Sequence, residues 1–273
     1  MERYLCTACG TQYPDSAEPP QSCAICEDER QYVNWNGQEW TTLAALQRSH
    51  HNLLKPLGDG ILGIGSTPKI GIGQRALLVQ TSAGNILWDC ISLIDDATVQ
   101  AVRARGGLSA IAISHPHFYS SMVEWSQRFG GVPIYLHAAD QQWVMRRSPE
   151  IAFWDGDTHR LFGGLTLIRC GGHFAGGTVL HWADGEKDHG SLLTGDIIQV
   201  VQDRRYVSFM RSFPNYVPLS ASAVTRILAS VEPFAFTRLY GAWWDAIVDG
   251  DGKAVVKRSA ERYLRAISAS DTP

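Results

Sequence analysis

Four of the six cysteines fall within the first 26 residues, as Cys6-Thr7-Ala8-Cys9-Gly10 and Cys23-Ala24-Ile25-Cys26, separated by a polar, proline-containing stretch from Gly10 to Ser22. A segment this short has little core of its own, and each C-x-x-C can clamp one side of a tetrahedral ion. The glycine after Cys9 permits the tight backbone turn such a knuckle needs. The pattern predicts a structural zinc site on Cys6, Cys9, Cys23 and Cys26, in a module of residues 1–34 that draws most of its folding free energy from the metal. Two alternatives stay open. Thiolates also accept iron. Two disulfides would need an oxidising compartment, and the short, charged start Met1 to Leu5 shows no apolar signal sequence. Cys90 and Cys170 sit in apolar runs and read as buried free thiols rather than nucleophiles.

The remaining length is enough for one large core. Of the 273 residues, 45% are hydrophobic and 19% charged, which fits a globular domain over 35–273. A formal charge of -3 gives no general pull toward nucleic acid. No apolar run approaches the roughly 18 to 20 residues needed to span a bilayer. The expectation is a soluble cytoplasmic protein with neither a nucleic-acid nor a membrane partner, whose oligomeric state the sequence does not reveal.

Residues 27–60 read as a connector with one short helix near 38–47, capped by Thr41 or Thr42. The glycine-rich run from Gly58 to Gly73 invites a phosphate-loop reading, but neither a Walker lysine nor a strand-to-helix glycine fingerprint accompanies it. Bends and close backbone approach between early strands account for it better. From there the pattern alternates. Strands are predicted at 76–80 and 86–90, a helix near 95–105, a strand at 108–113, a helix near 120–129, a strand at 132–137 and a helix from Ala138 to about Arg147. Strands follow at 165–170, 177–182 and 191–195, with a turn at Asp184-Gly185. A helix near 220–231, a strand near 235–240 and a helix from about Lys253 to Ser268 complete the chain. This is an α/β chain of mixed sheets covered by helices.

Immediately after the apolar run 108–113 comes Ser114-His115-Pro116-His117-Phe118-Tyr119-Ser120. Residues at i and i+2 share one face of extended chain, so both imidazoles can point at one cation, and imidazole is a common zinc ligand. Alone, the pair is weak evidence for a metal site. Two later motifs strengthen it: Gly172-His173-Phe174-Ala175-Gly176 and Gly195-Asp196.

In this order the motifs resemble those of the metallo-β-lactamase superfamily, which carries H-x-H-x-D-H after a strand, then Gly-His-x-x-Gly, Gly-Asp and a final His. The hairpin of 76–80 and 86–89 is similar to the family's opening hairpin, with Asp89 at its structural aspartate. The resemblance covers about residues 60–250 and implies an αβ/βα four-layer sandwich with ligands on loops at one sheet edge. The N-terminal module resembles a zinc ribbon or rubredoxin-like knuckle. Where the family has Asp and His in the second half of its first motif, this chain has Tyr119 and Ser120, and the region of the final His reads Leu239 to Trp244 with no histidine. The groups particular to a second ion are therefore missing, whereas the three imidazoles of the first remain. The resemblance implies a mononuclear site on His115, His117 and His173, with Asp196 as a fourth ligand or a hydrogen-bond partner of water. His50, His51, His137, His159, His181 and His189 lie outside these motifs and read as surface or core residues.

Such a site implies zinc, with iron as the alternative, and a small-molecule substrate. The leading expectation is a hydrolase that activates water against an ester, thioester or lactone-like bond. Asp196 would orient that water or take its proton. The Tyr119 phenol either donates to a developing oxyanion or fills vacated space. Ser120 has no base beside it and is a poor nucleophile candidate. The segment Arg204 to Tyr216, rich in aromatics and arginine, either walls a pocket, with Arg211 meeting an anion, or packs the fold. Trp243 and Trp244 would close its floor. Two other classes stay open: an iron-dependent persulfide dioxygenase, and a non-catalytic metal-binding interaction module. Fold alone assigns no substrate.

Overall fold

The computed structural model describes residues 1–58 and 60–268; Asp59, inside the glycine-rich run, lies outside the described residues. The chain forms two compact units, Met1–Asp155 and Gly156–Pro273. Among the described residues no helix is long and apolar enough to cross a membrane.

The first unit opens with β1 (Glu2–Cys6), β2 (Gln12–Ser16) and β3 (Trp40–Thr42), an antiparallel sheet in the order β2-β1-β3. Next come α1 (Leu43–Ser49), β4 (His51–Gly58), β5 (Ile61–Thr67), β6 (Ala76–Thr81), β7 (Gly84–Trp88), α2 (Asp96–Arg103), β8 (Ala110–Ala112), α3 (Met122–Arg128), β9 (Ile134–His137) and β10 (Ile151–Trp154). Strands β4 to β10 form one seven-stranded sheet in sequence order. It is antiparallel from β4 to β7 and parallel from β7 to β10. The change falls where crossover connections begin, since parallel neighbours cannot be joined by a tight turn. Strand β8 is buried at every position, as a central parallel strand must be. Helix α2 starts where the Asp95 carboxylate accepts the Thr98 amide at 2.7 Å and buries Val99 and Val102. Helix α1 is capped by Thr42, one of the two expected caps.

Two expectations for this unit need correction. The connector over 27–60 contains the eight-residue strand β4, and the glycine-rich run continues into β5. β4 is an edge strand with no fully buried residue and a proline at position 56, and its sequence His51-Asn52-Leu53-Leu54-Lys55 carries no apolar alternation to mark it. The helix expected from Ala138 to Arg147 is a short 3-10 segment, Ala138–Trp143, begun by the His137 Nδ1 atom accepting from the Ala139 amide at 3.1 Å.

The second unit contains β11 (Thr158–Arg160), β12 (Leu165–Arg169), β13 (Thr178–Trp182), the single turn α4 (Gly185–Asp188), β14 (Ser191–Gly195), the ribbons β15 (Gln199–Val200) with β16 (Val207–Ser208) and β17 (Met210–Ser212) with β18 (Val217–Pro218), then α5 (Ala221–Val231), β19 (Arg238–Gly241), β20 (Ile247–Val248) and α6 (Gly252–Ser268). Its main sheet runs β11-β12-β13-β14-β19-β20, with β14 and β19 parallel and the other pairs antiparallel. The helices α5 and α6 pack on each other and on β12 and β19 respectively. Ile168, Leu192, Leu239, Val224, Ile227 and Val256 share the resulting core. At the entry to α5, Ser220 Oγ accepts the Ala223 amide at 3.3 Å, a cap worth about 1 kcal/mol.

Candidate metal centre

The four cysteines converge. Each C-x-x-C closes a turn on its first carbonyl: the Gly10 amide donates to Cys6 at 2.8 Å and the Cys26 amide to Cys23 at 2.9 Å. Gly10 has a φ of +83°, a conformation that glycine adopts without penalty. All four Sγ atoms lie within 4.8 Å of one another, with Cys6 to Cys26 at 3.5 Å and Cys9 to Cys23 at 3.6 Å. Ligands about 2.3 Å from a tetrahedral zinc ion stand roughly 3.8 Å apart, so the set fits such an ion. A disulfide would need about 2.05 Å, and all six cysteines are free thiols. Burial pushes the Cys9 thiol far up, and the neighbouring Cys23 thiol does the same for Cys26, whereas hydrogen bonds from Cys23 and Cys26 push Cys6 down. Metal binding to such a set requires thiolates, so it releases the thiol protons. The Gln38 Nε2 donates to Cys6 Sγ at 3.2 Å, an outer contact with no sequence signature.

His115 and His117 follow β8, but not on one face of extended chain as the spacing predicts. His115 is extended, with φ -170° and ψ 171°, whereas His117 lies in the 3-10 turn Pro116–Phe118. Pro116 opens that turn because its fixed φ suits a first helical position. The turn still brings the two ring centroids to 5.2 Å. Ser114 Oγ lies 2.9 Å from His115 Nδ1, the kind of contact that orients a metal-binding imidazole. The Ser114 amide donates to Asp89 Oδ1 at 2.8 Å, which ties the start of the histidine loop to the end of β7. Burial raises the Asp89 carboxyl to about 7.

His173 sits in the loop after β12. That loop is closed at its base, where the Cys170 and Gly171 amides both donate to the Gly177 carbonyl at 2.8 and 2.9 Å. Gly171 and Gly172 have φ of +67° and +83°, which explains the pair of glycines before the histidine. Phe213 packs edge-on to the His173 ring at 5.6 Å. One ring nitrogen from each of His115, His117 and His173 falls in a single group spanning no more than 4.8 Å, and all three residues are buried. Three buried imidazoles form a donor set suited to zinc or iron. Asp196 follows Gly195, whose φ is +55°, and is buried, but it does not belong to that group.

The other candidates divide. Tyr119 is buried, and burial together with the Asp140 carboxylate pushes its phenol well above the usual range. Ser120 Oγ accepts from Gln74 Nε2 at 3.1 Å and donates to the Cys90 carbonyl at 3.4 Å, a structural role with no base attached. In the segment 204–216, Phe209 is wholly buried in the core, whereas Phe213 stands against His173. Trp243 and Trp244 line a cavity of about 590 Å³ with Gln199, Arg204 and Asp245. The Ala242 amide donates to the Gly195 carbonyl at 3.1 Å, which places the histidine-free stretch beside the strand end that leads to Asp196. Sequence reasoning passed over Ser114 and Gln38, since single polar residues in loops carry no pattern.

Solved structures similar to this one include metallo-β-lactamases. The DIM-1 enzyme exposed to ceftazidime superposes with a TM-score of 0.59 at 14% identity, over 79% of this chain and 98% of that one. The FIM-1 enzyme from Pseudomonas aeruginosa, in its mono-zinc form, gives 0.59 at 15% identity over 80% and 97%. A metallo-β-lactamase from Pontibacter korlensis gives 0.57 at 15% over 78% and 99%. The chain therefore has the metallo-β-lactamase fold, the α/β class its motifs resemble, here with a four-cysteine cluster at its N-terminus. No family model matches the sequence. It is 46% identical over 271 residues, 98% of each chain, to the uncharacterized protein YmaE of Bacillus subtilis strain 168, and it belongs to the same family as YmaE.

Proposed function

We propose that the chain is a metal-dependent hydrolase of small molecules, with His115, His117 and His173 holding one zinc ion and Asp196 serving the water. The carrying observation is the buried three-imidazole group on this fold, and the mono-zinc form of a structural neighbour supports a single ion. Bound there, the cation would supply Lewis acidity toward a carbonyl oxygen and acidify water to near neutrality. The chain's own residues do the rest. Ser114 fixes the His115 ring, the closed loop at Gly177 presents His173, and Asp196 accepts the proton as water adds to the acyl carbon. The bond to the alkoxide or thiolate then breaks, and Asp196 passes its proton on to the departing group. Esters, thioesters and lactones match this sequence of steps. Tyr119 either fills space or donates to the developing oxyanion.

In this reading residues 1–34 form a zinc-built module in a reducing compartment, the cytoplasm, and residues 35–273 form the hydrolase. Metal quantification of the intact chain is expected to give two zinc ions, falling to one in His117→Ala together with loss of hydrolysis on an ester, thioester and lactone panel. Three ions, or iron at the histidines with oxygen consumed on a persulfide, would overturn the proposal.

A further inference from the structure

The four-cysteine module is docked on the loop that carries two of the three imidazoles. The Gln12 amide, just past the first knuckle, donates to the Ser120 carbonyl at 3.0 Å. Ser92 Oγ donates to the Gly10 carbonyl at 2.9 Å, and Ser121 Oγ in turn donates to the Ser92 carbonyl at 2.8 Å. Ser92 and Ser121 are both buried. The fit is close. A Cβ on Gly10 would lie 2.4 Å from Ser92 Oγ, and one on Gly71 would lie 3.0 Å from the Cys9 carbonyl carbon and the Gly10 nitrogen.

A second set of contacts follows at the start of α3. Arg3 and Arg146 both reach Glu124 at 2.8 Å, and Arg146 also donates to Gln12. Between Thr11-Gln12 and Tyr119-Ser120 there remains a space of about 10 Å³, near the lower limit for one water. The backbone of 119–121 is thus pinned from the side of the cysteine module. Ser120 itself has φ +43°, a left-handed conformation that a non-glycine residue keeps only where surrounding bonds impose it.

We infer that Gly10, Gln12 and Ser92 are positioning residues for the histidine loop, so that an ordered four-cysteine module sets the cation affinity of His115 and His117. This rests on the reading of those histidines as metal ligands. Coupling of this kind is reciprocal and commonly amounts to about 5- to 150-fold in affinity.

The test uses the full chain and cobalt(II), in wild type, Ser92→Ala and Gly71→Ala. Thiolate-to-cobalt charge-transfer absorption reports the cysteine site, and metal stoichiometry with the weaker ligand-field bands reports the histidine site. Both variants are expected to keep the charge-transfer absorption, to bind cobalt about tenfold more weakly at the histidines, and to exchange amides faster over residues 115–121. Gly71→Ala presses on backbone at Cys9 and Gly10; should it fail to fold, Ser92→Ala removes only one hydroxyl and carries the same test. Wild-type histidine-site affinity and wild-type exchange over 115–121 in Ser92→Ala would overturn the inference. If the wild-type chain takes cobalt at the thiols alone, the hydrolase reading fails, and the exchange over 115–121 still decides the coupling.

Discussion

His181 shows what burial does to a single titratable side chain. Its Nε2 donates to the Ala235 carbonyl at 2.7 Å and its ring lies against Phe234. Desolvation holds the imidazole below its usual pKa, against the opposing effect of that carbonyl. The folded state therefore resists a proton that the unfolded chain accepts near 6.5. Above about pH 7 both states are neutral and the residue adds no pH dependence. Stability is lost as the pH falls through roughly 6.5 toward the lower folded-state value. His181→Gln, which keeps a donor but cannot titrate, is expected to flatten the fall in Tm between about pH 7 and 5 relative to wild type. Parallel Tm profiles for the two proteins would remove His181 as a source of that slope.

At the scale of an element, the loop from Cys170 to Gly177 depends on close backbone approach. A Cβ on Gly177 would stand 2.7 Å from the Gly171 carbonyl oxygen, and backbone cannot yield as a side chain does. Gly177→Ala is expected to cost about 1 to 3 kcal/mol and to weaken metal binding at the histidines, with the four-cysteine site unchanged. Thermal melts and metal counts measure both effects. The same loop shows what the sequence made legible. Gly172-His173 was readable because Gly172 to Gly176 resembles the family's Gly-His-x-x-Gly turn, whose first glycine here takes a left-handed backbone. The Gly177 contact was not, because the obstructing atom is a carbonyl that any residue at 171 would present. Elements with a buried face, such as β6, β7, β12, β13, α2 and α5, were evident from periodicity. The edge strand β4 was not, because solvent on its exposed positions erases the alternation.

For the whole molecule, the N-terminal module has a small core made largely of its clustered thiols, Cys6, Cys9, Cys23 and Cys26, with Ala8 and Ile25. Structural zinc supplies on the order of 10 kcal/mol to modules of this kind. Cys9→Ser or acid sufficient to protonate the thiols is expected to release that ion and to expose residues 1–42 to amide exchange, while the core of the second unit stays protected. Uniform protection across the chain after metal loss would contradict this division.

Residue chemistry and local periodicity let the sequence determine by itself the α/β class and the four-thiol cluster, while the three imidazoles were legible through the resemblance that their motifs carry. These depend on which atoms a residue offers and on spacings of a few positions along the chain. Only the tertiary structure decided that His117 reaches its place through a 3-10 turn and that Ser120 is held by Gln12 more than a hundred residues away in sequence. Contacts at such separations arise from packing between elements, where a single hydrogen bond leaves no repeating mark on the amino acids that make it.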